Sequence, residues 1–348
     1  MSDAAIHPIR FILSDVDGTL LHPDHSLSQR TADAVIALRE AGVFFSLASG
    51  RPPKAMLHLI ETFGIDVPVA GFNGGTLINP DGSILVAHHL PAEAALVTLA
   101  LFSAEPDVEV WVFADGDWLR RGPPGPVEPR ETHGLGYGPV VVESFEPYLD
   151  RVDKIVAASN NTQLLVALEA QLQPTVQGLA QVSRSQPIYL DVTAMLANKG
   201  EALKTLAAHL GVPLEQAAAI GDGGNDPAMF QVAGLSIAMG QAEEAVKRQA
   251  DVVTGANTED GAAQAIALLL LELQRRDRRH LRGQQHLVLL RAELARHLER
   301  GLAADRLLHG RVTDCSQAGF ARAMDVSVHS LIRMAKLAEP LMAEGGTI

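Results

Sequence analysis

The sequence predicts an α/β protein built on a doubly wound parallel sheet, with an inserted α+β domain and a helical C-terminal extension. Three observations carry this. Apolar strand-like runs alternate with helical patterns from residue 11 onward, the β-α-β order that implies a parallel sheet covered by helices. That alternation breaks off after about residue 90 and resumes near residue 187. Beyond about residue 274 the pattern is helical throughout, and the charge balance turns from acidic to basic. The domain reading is a discontinuous core, 1–90 and 187–274, with an insertion at 91–186 and an extension at 275–348.

Each element follows in order. Phe11–Leu13 reads as a buried strand, Thr31–Glu40 as a helix ended at Gly42, and Val43–Ser49 as the next strand. A helix carrying Met56, Leu57 and Ile60 leads to a third parallel strand, Val67–Phe72. A hairpin turns at Asn79–Gly82. In the insertion, a helix at Ala92–Ser103 precedes strands in "VEVWVF" and "DWLRR". The stretch "GPPGPVEPRETHGLGYGP" reads as loop because of its proline and glycine content. A strand at Lys154–Ser159, a helix at Thr162–Leu172 and a strand near "GLAQVSR" close the insertion. The core is expected to resume with the strand "IYLDV". After it come a helix from Lys199 to Leu210, a strand ending in "GDGGND", the strand "LSIAMG" and the closing strand "DVV".

Bulk properties exclude some roles. A net charge of −13, from 28 Lys+Arg against 41 Asp+Glu, disfavours binding to nucleic acid or an anionic membrane by the chain as a whole. The only cysteine, Cys315, rules out an internal disulfide and fits a reducing compartment. "MSDAAIHPIR" lacks the apolar stretch of a secretory signal, and "AIALLLLEL" is too short to span a bilayer as a helix. A cytoplasmic location is expected. No Walker-type phosphate loop occurs. "GLGYG" has no strand leading into it, and the thirteen histidines show no metal-like spacing.

The chemistry lies at the predicted strand ends. Asp15 and Asp17 close the first strand, and Ser49 to Arg51 close the second. Lys199 opens a helix, and Asp222, Asn225 and Asp226 follow a later strand. In a parallel sheet these ends share one edge, so four carboxylates, a lysine and a serine converge. Four neighbouring carboxylates cannot all stay ionised without a counter-charge. A hard divalent cation provides one, and Mg²⁺ is the ion that also bridges to phosphate. Such a set of groups is suited to phosphoryl transfer.

The motifs "DVDGT", "ASGR", "FNGG", "NKG" and "GDGGNDPAM", with the closing run from Leu235 to Ile266, resemble those of the haloacid dehalogenase superfamily. Within it the likeness is to Cof-type hydrolases, phosphatases with a large α+β cap inserted in a Rossmann-like core, and it covers about residues 8 to 270. The resemblance implies that Asp15 is the nucleophile and Asp17 the acid/base. It implies phosphate and substrate contacts from Ser49, Gly50, Arg51, Asn73, Lys199 and Asn225. A Mg²⁺ site is implied at Asp15, Asp17, Asp222 and Asp226. Asp17 separates this chain from dehalogenases, which need no second aspartate there, and from the superfamily's transport ATPases, which carry threonine. Only Gly18 to Ala48 separate the first two motifs, too few for the cap that supplies a lysine in phosphonate hydrolases.

The expected activity is therefore Mg²⁺-dependent hydrolysis of a small phosphorylated metabolite, a sugar phosphate or similar monoester. The alternatives are a phosphomutase, or a sensor of phosphorylated metabolites that uses the extension to bind DNA. In that extension Leu287, Leu290, Leu294 and Leu298 form a helical stripe suited to packing or to a homodimer. Ser316–Lys336 has the apolar spacing of a helix-turn-helix, but Asp325 stands where the turn favours glycine, so nucleic acid is not the expected partner. "DGDWLRR", Asp115 to Arg121, reads either as substrate-facing or as a plain hairpin.

Overall fold

The computed structural model describes residues 8–279 of the chain. The leucine stripe and the helix-turn-helix spacing lie outside the described residues. In chain order, strand β1 (Phe11–Ser14) leads to helix α1 (Gln29–Glu40), β2 (Phe44–Leu47), α2 (Leu57–Phe63) and β3 (Val69–Gly71). The hairpin β4 (Thr76–Ile78) and β5 (Ile84–Ala87) follows, then α3 (Ala92–Ser103), β6 (Glu109–Ala114), β7 (Asp117–Arg120), α4 (Glu128–Leu135) and β8 (Val140–Val141). Next come β9 (Val152–Ala158), α5 (Thr162–Thr175), β10 (Ala180–Gln186) and β11 (Tyr189–Ala194). The described residues close with α6 (Lys199–His209), β12 (Ala217–Gly221), α7 (Pro227–Phe230), β13 (Leu235–Ala238), α8 (Glu244–Lys247), β14 (Val252–Val253) and α9 (Gly261–Arg279).

The core sheet is parallel, in the order β14-β13-β12-β1-β2. Side chains alternate across it, as the two-residue period of a strand requires. Ile12 joins Phe45, Ala218 and Ile220 against α1, α2 and α9, while Phe11, Leu13 and Ala219 pack against α6 and α7. Both faces are covered, which is why these strands read as unbroken apolar runs. β1 is an interior strand, with the edge strand β2 on one side and β12 on the other. The chain therefore departs in opposite directions from its two neighbours, and a crevice opens beyond the carboxyl end of β1.

The inserted domain has its own six-stranded sheet, β10-β11-β9-β6-β7-β8. Helices α3 and α5 cover one face through Phe102, Leu165, Leu168 and Leu172. The other face carries Trp111, Phe113, Trp118 and Tyr189, against which Phe72 of the core packs.

Three expectations differ from what is observed. The strand in "IYLDV" belongs to the inserted sheet: β11 pairs antiparallel with both β9 and β10, and the chain rejoins the core only at α6. Its alternating apolar pattern fits either sheet, and only the pairing partner decides. The third strand touches β2 through a single parallel bridge, Ala48 to Ala70, and is otherwise antiparallel with β4. Finally, the proline-rich stretch contains α4. Pro129 lies in the first helical turn, where its missing N–H costs nothing, and Gly136 ends the helix at φ 78°. The hairpin predicted at Asn79–Gly82 is present, closed by bonds from the Asn79 amide to the Ser83 carbonyl and from the Gly82 amide to the Asn79 carbonyl.

Because the core packs against α9 through Ala262, Ala265 and Ile266, a chain ended after Arg279 should remain folded. It should stay soluble and unfold in a single cooperative transition on heating. Aggregation or loss of the cooperative transition would contradict this.

Candidate active site

The site forms where β1, β2 and β12 end. Asp15 follows β1 directly, its amide bonded to the Ile220 carbonyl of β12, so its position is fixed by the sheet. Lys199 is the first residue of α6, whose N-terminus is capped by the Asn198 side chain accepting from the Glu201 amide at 3.0 Å. This sends the lysine into the crevice, where it is 0% exposed. Its Nζ donates to Asp15 Oδ1 and to Asp226 Oδ1, both at 2.6 Å. Asp226 is itself 0% exposed, and its Oδ2 accepts from the Asp222 and Gly223 amides at 2.7 Å each. Both oxygens of Asp226 are thus engaged, and it holds the lysine and the loop after β12 together.

Asp222 comes next in this loop. Thr19 Oγ1 donates to Asp222 Oδ1 at 2.8 Å, tying the loop after β1 to the loop after β12. Between them Gly18 adopts φ 79°, and a Cβ there would fall 2.3 Å from Asp222 Oδ2. Only glycine satisfies both constraints. Gln241 Nε2 adds a bond to the Gly18 carbonyl at 2.6 Å.

Asp15, Asp222 and Asp226 each offer a carboxylate oxygen, and these lie within 4.8 Å of one another. Three carboxylates face one ammonium, and the surplus negative charge and all-oxygen donor set suit a divalent cation. The residues therefore fit a hard metal ion.

Electrostatics agree with this grouping. Burial pushes the Asp15 carboxyl well above its usual range; Lys199 opposes the shift, while Asp226 and Asp222 reinforce it. Burial likewise raises Asp222, against the Thr19 hydrogen bond. For Lys199 burial favours the neutral amine, but Asp15 and Asp226 outweigh it, and the lysine stays charged. The cluster is short of positive charge.

Asp17 stands apart. Its carboxylate is not brought together with the other three. Arg51 Nε donates to Asp17 Oδ2 at 2.8 Å and Arg51 Nη2 to Oδ1 at 2.6 Å, a two-pronged ion pair. His25 Nδ1 lies 3.2 Å from the same Oδ1. Burial acts to raise the Asp17 carboxyl, but Arg51 and then His25 outweigh it and hold it below its usual value. Ser49 is buried, and its Oγ accepts from the Arg51 amide at 3.2 Å, which shapes the turn through Gly50. Asn73, at φ 58°, accepts from Asn225 Nδ2 at 2.7 Å, and its amide bonds to the Ser49 carbonyl. The structure thus gathers Ser49, Gly50, Arg51, Asn73 and Asn225 on one side of the crevice.

Thr19, His25 and Gln241 were not singled out from the sequence. Thr19 lies within the motif "DVDGT", where nothing local indicates its bond to Asp222. Gln241 carries no local signal, since it meets Gly18 from 223 positions away, and the contact of His25 with Asp17 depends on how the loop after β1 folds back on itself.

The haloacid dehalogenase-like hydrolase family matches residues 12–266. An HMP-PP phosphatase of Escherichia fergusonii is 31% identical over 235 residues, covering 67% of this chain and 85% of that protein. Among solved structures, a haloacid dehalogenase-like hydrolase from Bacteroides thetaiotaomicron superposes with a TM-score of 0.68 at 28% identity, over 74% of this chain and 98% of the other. A HAD subclass IIB sugar phosphatase gives 0.64 at 27% identity, over 74% and 98%. The chain belongs to the haloacid dehalogenase-like hydrolase family and is a hydrolase of its phosphatase branch. A second family, described as Enoyl-(Acyl carrier protein) reductase, matches residues 299–348. No helix among the described residues is long and apolar enough to cross a membrane.

Replacing Asp226 with alanine removes one of two anions from a fully buried ammonium and strips two amides of their acceptor. A loss of about 3–5 kcal/mol is expected, measured by urea denaturation without added metal. A change below about 1 kcal/mol would mean that the pair is not buried.

Proposed function

We propose that the enzyme is a Mg²⁺-dependent phosphomonoesterase working through an aspartyl-phosphate at Asp15. The observation that carries the reading is the cluster of Asp15, Asp222 and Asp226 around the ammonium of Lys199, short of positive charge at the mouth of the switch-point crevice. Asp15 and Asp222, with Asp226 beside them, would hold Mg²⁺, which when bound neutralises and orients the phosphoryl oxygens.

This chain's residues do the rest. An oxygen of Asp15 attacks phosphorus in line as the ester P–O bond breaks. Lys199 offers its charge to the phosphoryl group, while Ser49, the Gly50 amide, Asn73 and Asn225 form the polar wall on the other side. Asp17 gives its proton to the leaving alkoxide. It then takes one from the water that attacks phosphorus, freeing Asp15 and inorganic phosphate.

In the resting protein Asp17 is ionised and clamped by Arg51. To act as an acid it must lose that partner, so the loaded enzyme transfers Arg51 from Asp17 to the anionic substrate. Closure of the inserted domain over the crevice would exclude bulk water. The relatives' names span HMP-PP and sugar phosphates, and both belong in any substrate screen.

Asp15→Asn should abolish phosphate release, by at least about 10³-fold, while the thermal midpoint holds or rises as a crowded charge is removed. Turnover near wild type would refute the covalent route. Exhaustive chelation should stop turnover, Mg²⁺ should restore it, and Ca²⁺ should restore it poorly because its larger, looser shell moves the nucleophile off line. Colorimetric phosphate assays check both, and full activity after chelation would refute the metal assignment.

A further inference from the structure

A short stretch of the core, residues 72–76, touches the inserted sheet and both linkers that lead to it. The Gly75 carbonyl accepts from the His88 amide of the first linker at 2.7 Å. A Cβ at Gly75 would lie 3.2 Å from the Ala197 Cβ of the second linker, and one at Gly74 would lie 2.7 Å from the Asn198 carbonyl oxygen. Phe72 packs on Phe113 of the inserted sheet with ring centres 5.4 Å apart.

Thr76 opens β4 at the end of this stretch. Its Oγ1 donates to Oδ1 of Asp153, the second residue of β9, at 2.9 Å. His89 Nδ1, in the first linker, lies 3.3 Å from the same oxygen. Beside them the Leu90 amide donates to the Val152 carbonyl at 2.7 Å. Asp153 is 4% exposed and Thr76 3%. One buried carboxylate therefore joins a core strand, a linker and an inserted strand, and the chemistry of the crevice makes no use of it.

A carboxylate is a costly way to fill this place. Burial pushes the Asp153 carboxyl up, against the Thr76 bond and His89, while Asp115 adds to the rise. Apolar side chains of similar volume would pack here without that penalty. A hydrogen bond, however, has a required direction, so it selects one relative orientation of β4 and β9. Two strands away the boundary is looser. Lys54 Nζ stands 3.8 Å from Asp117 on β7, both side chains half-exposed, and a solvated pair of this kind contributes little. Tight at the linkers and loose at β7, the boundary has the arrangement of a hinge.

The same stretch carries Asn73, which accepts from Asn225 and whose amide bonds to the Ser49 carbonyl. We infer that Asp153 is a positioning residue, the pin of this hinge: through Thr76 it fixes the inserted domain on residues 72–76, and so sets the angle at which that domain faces the crevice and the place of Asn73 within it. The effect on turnover rests on the phosphatase reading above; the hinge itself does not.

Hydrogen–deuterium exchange of the full-length protein tests the hinge, and hydrolysis of p-nitrophenyl phosphate with Mg²⁺ tests its link to the crevice. Thr76→Val keeps the side chain's shape but removes the donor, and Thr76→Ser keeps the donor. In Thr76→Val, peptides spanning 86–92 and 194–199 should exchange at least about tenfold faster, while those of β1 and β12 keep wild-type rates. KM should rise at least about fivefold with kcat little changed, because fewer molecules hold the binding-competent angle. Thr76→Ser should restore both. His89→Leu removes the second partner at a partly exposed position, and should show the same pattern at smaller amplitude if Thr76→Val does not fold.

Unchanged exchange in both linkers would overturn the inference, and so would faster exchange throughout the core sheet, which marks a merely structural role. Faster exchange in the linkers with KM and kcat unchanged would overturn the link to the crevice. If the wild-type protein releases phosphate from no ester while the exchange pattern holds, the phosphatase reading fails and the hinge stands.

Discussion

The buried ammonium of Lys199 is the interaction on which the rest of the site depends. A lysine that is fully enclosed carries a desolvation cost of several kcal/mol unless it is paired and hydrogen-bonded. Here the partners are Asp15 from the end of β1 and Asp226 from the loop after β12, each at 2.6 Å. Lys199 itself enters from the start of α6, on the far side of the inserted domain in sequence. One charged group therefore fixes three chain segments relative to each other, and it does so only when the parallel sheet is correctly ordered. The surplus negative charge left around it is what suits the place to a divalent cation.

The same constraint explains the glycines and hydroxyls around it. Asp226 reaches back to the amides of Asp222 and Gly223, so the loop after β12 turns tightly. Thr19 fastens Asp222 from the opposite loop, and Gly18 must lack a Cβ for the two loops to approach. Arg51 on Asp17 is a different kind of pair, a two-pronged contact that is partly solvated, with the Asp17 side chain 41% exposed. A fully buried ion pair thus holds Asp15, and a partly solvated one holds Asp17.

Much of this was legible in the sequence because strand ends in a parallel sheet must share an edge. Asp15, Ser49, Lys199, Asp222 and Asp226 are each adjacent to the end of an apolar run or the start of a helix, and the fold brings them together by topology alone. Legibility failed where local pattern does not determine the partner. β11 alternates correctly for either sheet, and its pairing with β9 is a long-range fact. The prolines that suggested a loop at 122–139 include Pro129, which starts a helix instead. That Asp17 turns to Arg51 and not to the other carboxylates depends on side-chain geometry across 34 residues, which spacing does not encode. Of the aromatic face of the inserted sheet, "VEVWVF" reads as a strand, while "DGDWLRR" stays ambiguous. Asp115 and Gly116, at φ 56° and 78°, make it a tight hairpin with the strand-matching turn, and that hairpin sets Trp118 beside Phe113.

The central claim is that Asp15, held by Lys199, forms the covalent bond to phosphorus. Rapid acid quench of the Mg²⁺-loaded enzyme during turnover of a ³²P-labelled monoester, followed by peptide mapping, tests it most directly. The account predicts label that survives acid, is lost to hydroxylamine, and maps to the peptide containing Asp15, with none in the Asp15→Asn protein. Turnover with no protein-bound label at any quench time, or label mapping to another residue, would contradict it.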